Sequence, residues 1–230
     1  MLREAFQRNL QVLQDELLVL GGMVEKALVD SVELLKKQDL DGAQKLIAQD
    51  ESINEKRFAI EADTLVQIAT QQPMAGDLRV LASILDVASE LERIGDYAKG
   101  IAKITLMIGQ KPLMKPLIDL PRMAEKAADM LRRALNAFVR QDLTCADSIP
   151  NEDDEVDALY NQVYRELLTF IISDPRTIDQ ATYLLWVGHN LERAADRVTN
   201  ICERVVFMVT GKLVEMDREG RDDLGVQAVG

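Results

Sequence analysis

Residues 91–96 read LERIGD, and residues 191–196 read LERAAD. A single hexapeptide of this kind says little. Two of them, about one hundred residues apart, pose the question of whether their surroundings repeat as well. They do. Met23-Val24-Glu25-Lys26-Ala27 answers to Met123-Ala124-Glu125-Lys126-Ala127, and Gln38-Asp39-Leu40 to Gln141-Asp142-Leu143. Asp50, Ile53 and Asn54 answer to Asp153, Val156 and Asp157, and Pro73 to Pro175. The matches are collinear, with an offset that drifts by two or three residues where a turn changes length. That pattern marks an internal duplication.

Outward from the hexapeptides, apolar residues recur at i, i+3, i+4 and i+7, the period of a helix that buries one face. Leu78, Leu81, Ile84, Leu85, Leu91, Ile94, Ala98, Ile101 and Ile108 form one such stripe. Phe6, Leu10, Leu13, Leu17, Leu20, Val24, Leu28 and Leu34 form another, which Gly21 and Gly22 are expected to bend. Asp39 reads as the N-cap of a second helix that runs towards Pro73. Pro112, Pro116 and Pro121 each remove a donor, so Gly109 to Pro121 reads as a connection. The pattern then restarts, with helices expected over about 122–141 and 153–172, and a last one from the Asp174-Pro175 turn to about Val209.

The predicted fold is all-α: two tandem antiparallel three-helix bundles, six long helices in total. The expected units are residues 1–110 and 122–212, with a linker at 111–121 and a flexible tail at 213–230. A helix of thirty or so residues is about 45–50 Å long, so each unit is a rod.

Composition narrows the function. Asp and Glu outnumber Lys and Arg by 39 to 27, a net charge of −12. An acidic surface disfavours nucleic acid and anionic membranes, and suits cations or basic protein faces. No apolar run is long enough for a transmembrane segment and the N-terminus has no signal-type apolar core, so a cytoplasmic protein with reduced thiols at Cys145 and Cys202 is expected.

The candidate chemistry is acidic. Glu92 with Asp96, and Glu192 with Asp196, stand at i and i+4 on equivalent helices. Like charges at that spacing cost a helix about 0.2–0.5 kcal/mol per pair. Asp50, Glu51, Asn54 and Glu55 precede the first turn by about as many residues as Glu92 and Asp96 follow it, and Asp153, Asp154 and Asp157 repeat the arrangement. Equal rise brings the two groups to one height, where oxygen ligands from adjacent helices suit a hard divalent cation or a carboxylate-bridged cluster. The same residues equally suit a solvated face partnered by Arg57, Arg93, Lys99, Arg193 and Arg197. His189, the single histidine, lies one turn before Glu192 and is a further candidate ligand. Its order relative to that Glu is the reverse of the Glu-x-x-His pairs of di-iron bundles. Phosphate-binding glycine loops, nucleophile elbows and Cys/His pairs are missing. Trp186 and the methionines Met23, Met123, Met130 and Met208 fall on apolar stripes as core or interface filling.

Two long stretches, QQPMAGDLRVLASILDVASELERIGDYAKGIAK from Gln71 and DPRTIDQATYLLWVGHNLERAADRVTNICERVVFMVTGK from Asp174, resemble the repeated signature of the PhoU family of bacterial phosphate-uptake regulators. The resemblance implies two tandem three-helix bundles and no enzymatic activity. It implies action with the phosphate ABC transporter, through its ATPase subunit, and with a phosphate-sensing histidine kinase, to repress the phosphate-starvation response, from a homodimer. It also implies metal on the acidic motifs, with Fe, Mn, Mg or Zn as candidates. The matching residues are Asp50, Asn54, Glu92 and Asp96 in the first unit, with Glu55 as a further carboxylate there, and Asp153, Asp157, Glu192 and Asp196 in the second. Asn54 departs from an acidic pattern. A carboxylate-bridged metal enzyme and a metal-free structural bundle are the alternatives.

Overall fold

The structure, a computed structural model, describes residues 2–216, with side chains from residue 4. It contains no strand among the described residues. The helices are α1 (Leu2–Lys37), α2 (Leu40–Gln71), α3 (Ala75–Ile108), α4 (Asp119–Arg140), the short α5 (Leu143–Ser148), α6 (Asp153–Ser173) and α7 (Ile178–Thr210). Six of these are long, as the apolar periodicity requires. Part of the expected tail, from residue 217, lies outside the described residues. Before it, the Met216 backbone N–H donates to Glu203 at 2.8 Å and ties the chain back to α7.

The helix ends show why the sequence stops where it does. Gln38 and Gln141 both adopt left-handed backbone, at φ 52° and 55°. The following Asp39 and Asp142 each cap the next helix, accepting from Gly42 N at 2.9 Å and Cys145 N at 3.1 Å. The duplicated Gln-Asp-Leu triplet is therefore one turn built twice. After it the copies diverge. Helix α2 continues for 32 residues. In the second copy Pro150, at the position of Ile47, breaks the helix into α5, a 3-10 turn over Ile149–Glu152, and α6. Helix α4 starts at Asp119, earlier than the sequence suggested. Pro121 falls in its first turn, where a missing N–H costs nothing.

In each unit the third helix packs on the first two, and α3 and α7 share the broadest contact of the molecule. Helices α1 and α4 also touch, whereas α2 and α6 flank the outside. The partners run antiparallel. Glu16 of α1 pairs with Lys56 of α2, and Asn9 with Gln67. Across α3 and α7, Asp86 meets Arg204 at 3.4 Å and Glu90 meets Asn200 at 3.2 Å. The Asn190 amide lies where a Cβ on Gly100 would stand, at 2.9 Å. Glu90–Asn200 and Gly100–Asn190 exchange places when the repeats are interchanged, so a pseudo-twofold axis passes between α3 and α7. One continuous apolar core runs through both units, from Leu17, Leu20 and Val24 through Leu91 and Ile94 to Leu131, Leu191 and Ile201. Helix α1 continues through Gly21 and Gly22. Gly21 lies against Leu135 of α4 so closely that a Cβ there would overlap it.

The proline-rich connection is irregular, as expected, but it is stitched at both ends. Gln38 donates to the carbonyls of Gly109 and Lys111, at 3.0 and 2.6 Å. Gln180 accepts from Met114 N at 2.6 Å and donates to Pro112 O at 3.1 Å. Met123, Met130 and Met208 are buried, whereas Trp186 is 48% exposed and leans on Tyr183. Both cysteines are free, and burial pushes the Cys202 thiol well above its usual range. No helix among the described residues is long and apolar enough to cross a membrane.

Candidate functional site

The two acidic groups lie on the outer helix pairs, α2 with α3 and α6 with α7. In the first unit Asp50 is buried and accepts from Lys99 Nζ at 2.5 Å and from Asn54 Nδ2 at 3.2 Å. Lys99 also stands 3.8 Å from Asp96. The hydrogen bond to Asp50, aided by the Asp96 and Glu92 charges, holds the Lys99 ammonium above the ordinary lysine range. Burial pushes the Glu92 carboxyl up, and the Asp96 and Asp50 charges add to this while Arg57 opposes it. Asp50, Glu92 and Asp96 thus converge across two helices at one height. Glu51 and Glu55 point to solvent, away from them.

The second unit builds the same cluster with different charge. Burial again raises the Glu192 carboxyl, with Asp157 and Asp196 adding and His189 opposing. Glu192 Oε2 is buried with no hydrogen bond; His189 Nδ1 stands 3.4 Å away without the alignment to donate. Asp196 has Arg193 at 3.1 Å as its partner, and Arg193 also hydrogen-bonds Tyr97 of α3. Asp153, next to this group in the alignment, heads α6.

Two matched positions differ sharply. Where the first unit has Lys99 the second has Thr199, whose Oγ1 is buried without a hydrogen bond. Where it has Arg57 the second has Tyr160, which feels the Glu192 charge. Lys99 was legible as a nearby counter-charge. Thr199 was missed, although laying the repeats side by side exposes it. The packing has shifted too: Ile53 faces Gly95 at 3.4 Å from the position of a Cβ, and the second copy has Val156 and Ala195, a smaller residue opposite a larger one.

The groove between first and second helices also differs. Lys126 of α4 reaches Glu152 at 2.5 Å and Glu155 at 3.0 Å, and Arg133 reaches Glu152 at 2.7 Å. Gln49 and Ser52 occupy those acidic positions in the first unit. Lys26 turns instead to Asp30 of its own helix, and a cleft of about 300 Å³ opens beside Met23, Asp50, Ile53, Gly95 and Lys99.

The fit to a metal ion follows from these atoms. Among the described residues, no three His, Cys, Asp or Glu side chains form a ready-made cage, so a cation has to draw the carboxylates of adjacent helices inward. In the second cluster Glu192 Oε2 lacks a hydrogen bond, and Asp196 already has the Arg193 guanidinium at 3.1 Å. The first already has an ammonium in contact with its most buried carboxylate.

Two three-helix bundles, duplicated in sequence and sharing one core, with an acidic cluster on each outer helix pair, define the class of protein to which this fold belongs. A family model described as the PhoU domain matches residues 17–105 and again 120–205. A Clostridium acetobutylicum protein named as a phosphate-specific transport system accessory protein PhoU homolog is 35% identical over 94% of this chain and 100% of its own length. The crystal structure of PhoU from Pseudomonas aeruginosa superposes with a TM-score of 0.85 at 33% identity, covering 90% of this chain and all of that one. That of the phosphate transport system regulatory protein PhoU from Streptococcus pneumoniae gives the same TM-score and identity, over 92% and 100%. The chain belongs to the PhoU family.

Proposed function

We propose that this chain is a cytoplasmic accessory protein of phosphate-specific transport, a non-enzymatic adaptor that represses the phosphate-starvation response when phosphate is plentiful. The observation that carries this reading is full-length, twofold similarity to proteins named as accessory or regulatory components of phosphate transport. The partners are the transporter ATPase subunit and the sensor histidine kinase, and the working form is a homodimer. Exposed apolar residues support docking by helix faces: Val12 and Val19 on α1, and Phe58 and Leu65 on α2, recur at helical spacing. The exposed Trp186 beside Tyr183 adds an aromatic anchor of the type enriched in interfaces.

Cation binding belongs to the same proposal. A divalent ion drawn from Fe, Mn, Mg or Zn would be held by the clustered carboxylates of adjacent helices and would fix their relative position. The unpartnered Glu192 oxygen supports this.

The test is deletion of the gene in its host, with phosphate uptake and a starvation-promoter reporter measured in phosphate-rich medium. The expected result is an active reporter that complementation silences, together with recovery of the ATPase and the kinase on the tagged chain. An unchanged reporter and unchanged uptake would contradict the proposal.

A further inference from the structure

The outward face of α2 is apolar where the matching face of α6 is mixed. Phe58, Ala59, Ala62, Leu65, Val66 and Ala69 share one side of the helix over three turns, about 17 Å of rise. All six are exposed, with Phe58, Leu65 and Val66 at 58, 55 and 54%. Val12 of α1, 56% exposed, stands between Asn9 and Glu16, whose contacts with Gln67 and Lys56 bracket this segment, and it widens the patch towards α1. In the second copy Asn161, Gln162, Arg165 and Thr169 take the places of Phe58, Ala59, Ala62 and Val66, while Leu168 and Ile172 keep those of Leu65 and Ala69. The bundle therefore folds with polar residues at these positions, and folding alone does not account for the apolar face of the first copy. A contiguous exposed patch of this kind marks an interaction site.

The rim of the patch is acidic. Lys56 pairs with Glu16, and Arg57 lies over the Phe58 ring at 4.4 Å and pairs with Glu61 at 2.5 Å, so both neighbouring cations are already engaged within the protein. Glu51 and Glu55 prolong the stripe beyond Phe58, and Asp63 borders it. All three are exposed and have no ion pair among the described residues.

We infer that the face of α2 from Glu51 to Ala69 receives a basic amphipathic helix of a partner protein. This deepens the docking reading above by giving the partner segment a chemistry. The partner's apolar stripe lies along Phe58, Ala62, Leu65 and Val66, and its Lys or Arg side chains stand beside Glu51, Glu55 and Asp63. The small Ala62 at the centre lets the two helices approach closely, with Phe58 and Leu65 on either side of it. A second copy of this chain suits the face less well: it brings another acidic α2 and a further net charge of −12, and leaves the three carboxylates without a counter-charge.

The probe is a Leu/Lys peptide of about 18 residues with its leucines at helical spacing, set against the same peptide with Glu for Lys. Binding to the full-length chain is read by fluorescence anisotropy and mapped by backbone hydrogen exchange. The Leu/Lys peptide should bind and slow exchange over 51–69, leaving α6 unchanged, and the Leu/Glu peptide should bind at least about 10-fold more weakly. Phe58→Asn with Ala62→Arg and Val66→Thr, which carries the second copy's residues at exposed sites, should weaken the Leu/Lys peptide by about 10-fold. Glu51→Gln with Glu55→Gln and Asp63→Asn leaves the apolar face whole and covers the case in which the first variant misfolds; it should weaken binding by about threefold or more, and added salt should erase the difference. Equal binding by wild type and both variants, equal binding of the two peptides, or protection mapped to another helix would overturn the inference. Wild-type self-association that the first variant abolishes would give the face to a second copy and overturn it too. No binding of the Leu/Lys peptide would do the same, and would leave the phosphate-transport reading to its own deletion test.

Discussion

The two halves of this molecule share a backbone plan and differ in how they are charged. Between α1 and α2 the first unit leaves a cleft, because Gln49 and Ser52 offer Lys26 no negative charge and it pairs with Asp30 of its own helix. The second unit closes the equivalent groove with Lys126, Arg133, Glu152 and Glu155. At the acidic cluster the counter-cation moves: Lys99 meets the buried Asp50 in the first unit, whereas Arg193 meets Asp196 in the second. Duplication supplied two copies of a stable core, and the polar residues of each copy then became free to specialise. Interior positions have stayed apolar in both copies, with size traded between neighbours as at Ile53–Gly95 and Val156–Ala195, whereas the rim exchanges charge.

The largest effect should come from the shared core. Leu91→Ala and Leu191→Ala, at fully buried matched sites, should each cost about 2–5 kcal/mol in urea unfolding, within one cooperative transition. Two separate transitions, or a cost for only one variant, would break the claim that both units share a core. Next comes the stitched groove. Glu152→Gln should cost about 1–3 kcal/mol at neutral pH, whereas Gln49→Ala in the open groove should be near neutral. The Arg133 and Lys126 hydrogen bonds hold the Glu152 carboxyl below its ordinary value of 4.5. Its contribution is therefore complete above that pH and disappears as pH falls through the folded value, so acid titration should close the gap between Glu152→Gln and wild type.

The repeated turns give a smaller difference. Asp39→Ala and Asp142→Ala each remove a cap worth about 0.5–2 kcal/mol. The first loss should spread along the 32 residues of α2, and the second should appear as faster hydrogen exchange confined to the six residues of α5. Smallest of all, Glu192→Gln in metal-free protein should raise stability by ~0.5 kcal/mol or less at neutral pH. Burial raises that carboxyl, so wild type loses stability as pH climbs from 4.5 through the folded value, and the glutamine variant does not. A stabilisation of equal size at pH 4 would show that the cause is not the charge.

Much of this was legible in the sequence. The repeated hexapeptides, the apolar period and Asp39 as a cap led to six long helices in two copies, because those features are local or periodic. The grouping of Asp50 with Glu92 and Asp96, and of Asp157 with Glu192 and Asp196, followed from counting residues on either side of a turn. Three features did not follow. The break at Pro150 splits α5 from α6 although the copies otherwise align. Whether Glu55 faces the cluster or the solvent depends on a rotation of one residue about the helix, finer than a register argument resolves. Which cation meets which carboxylate depends on side-chain reach, so Lys99, Arg57 and Arg93 remained equivalent until distances separated them.

The most direct test of the central claim, that one backbone plan carries its counter-cations at different carboxylates in its two copies, is a high-resolution crystal structure of the wild-type chain at neutral pH. The account predicts Lys99 bonded to Asp50 between α2 and α3, and Arg193 bonded to Asp196 on α7. Lys99 turned away from Asp50, or the same pairing in both copies, would contradict it.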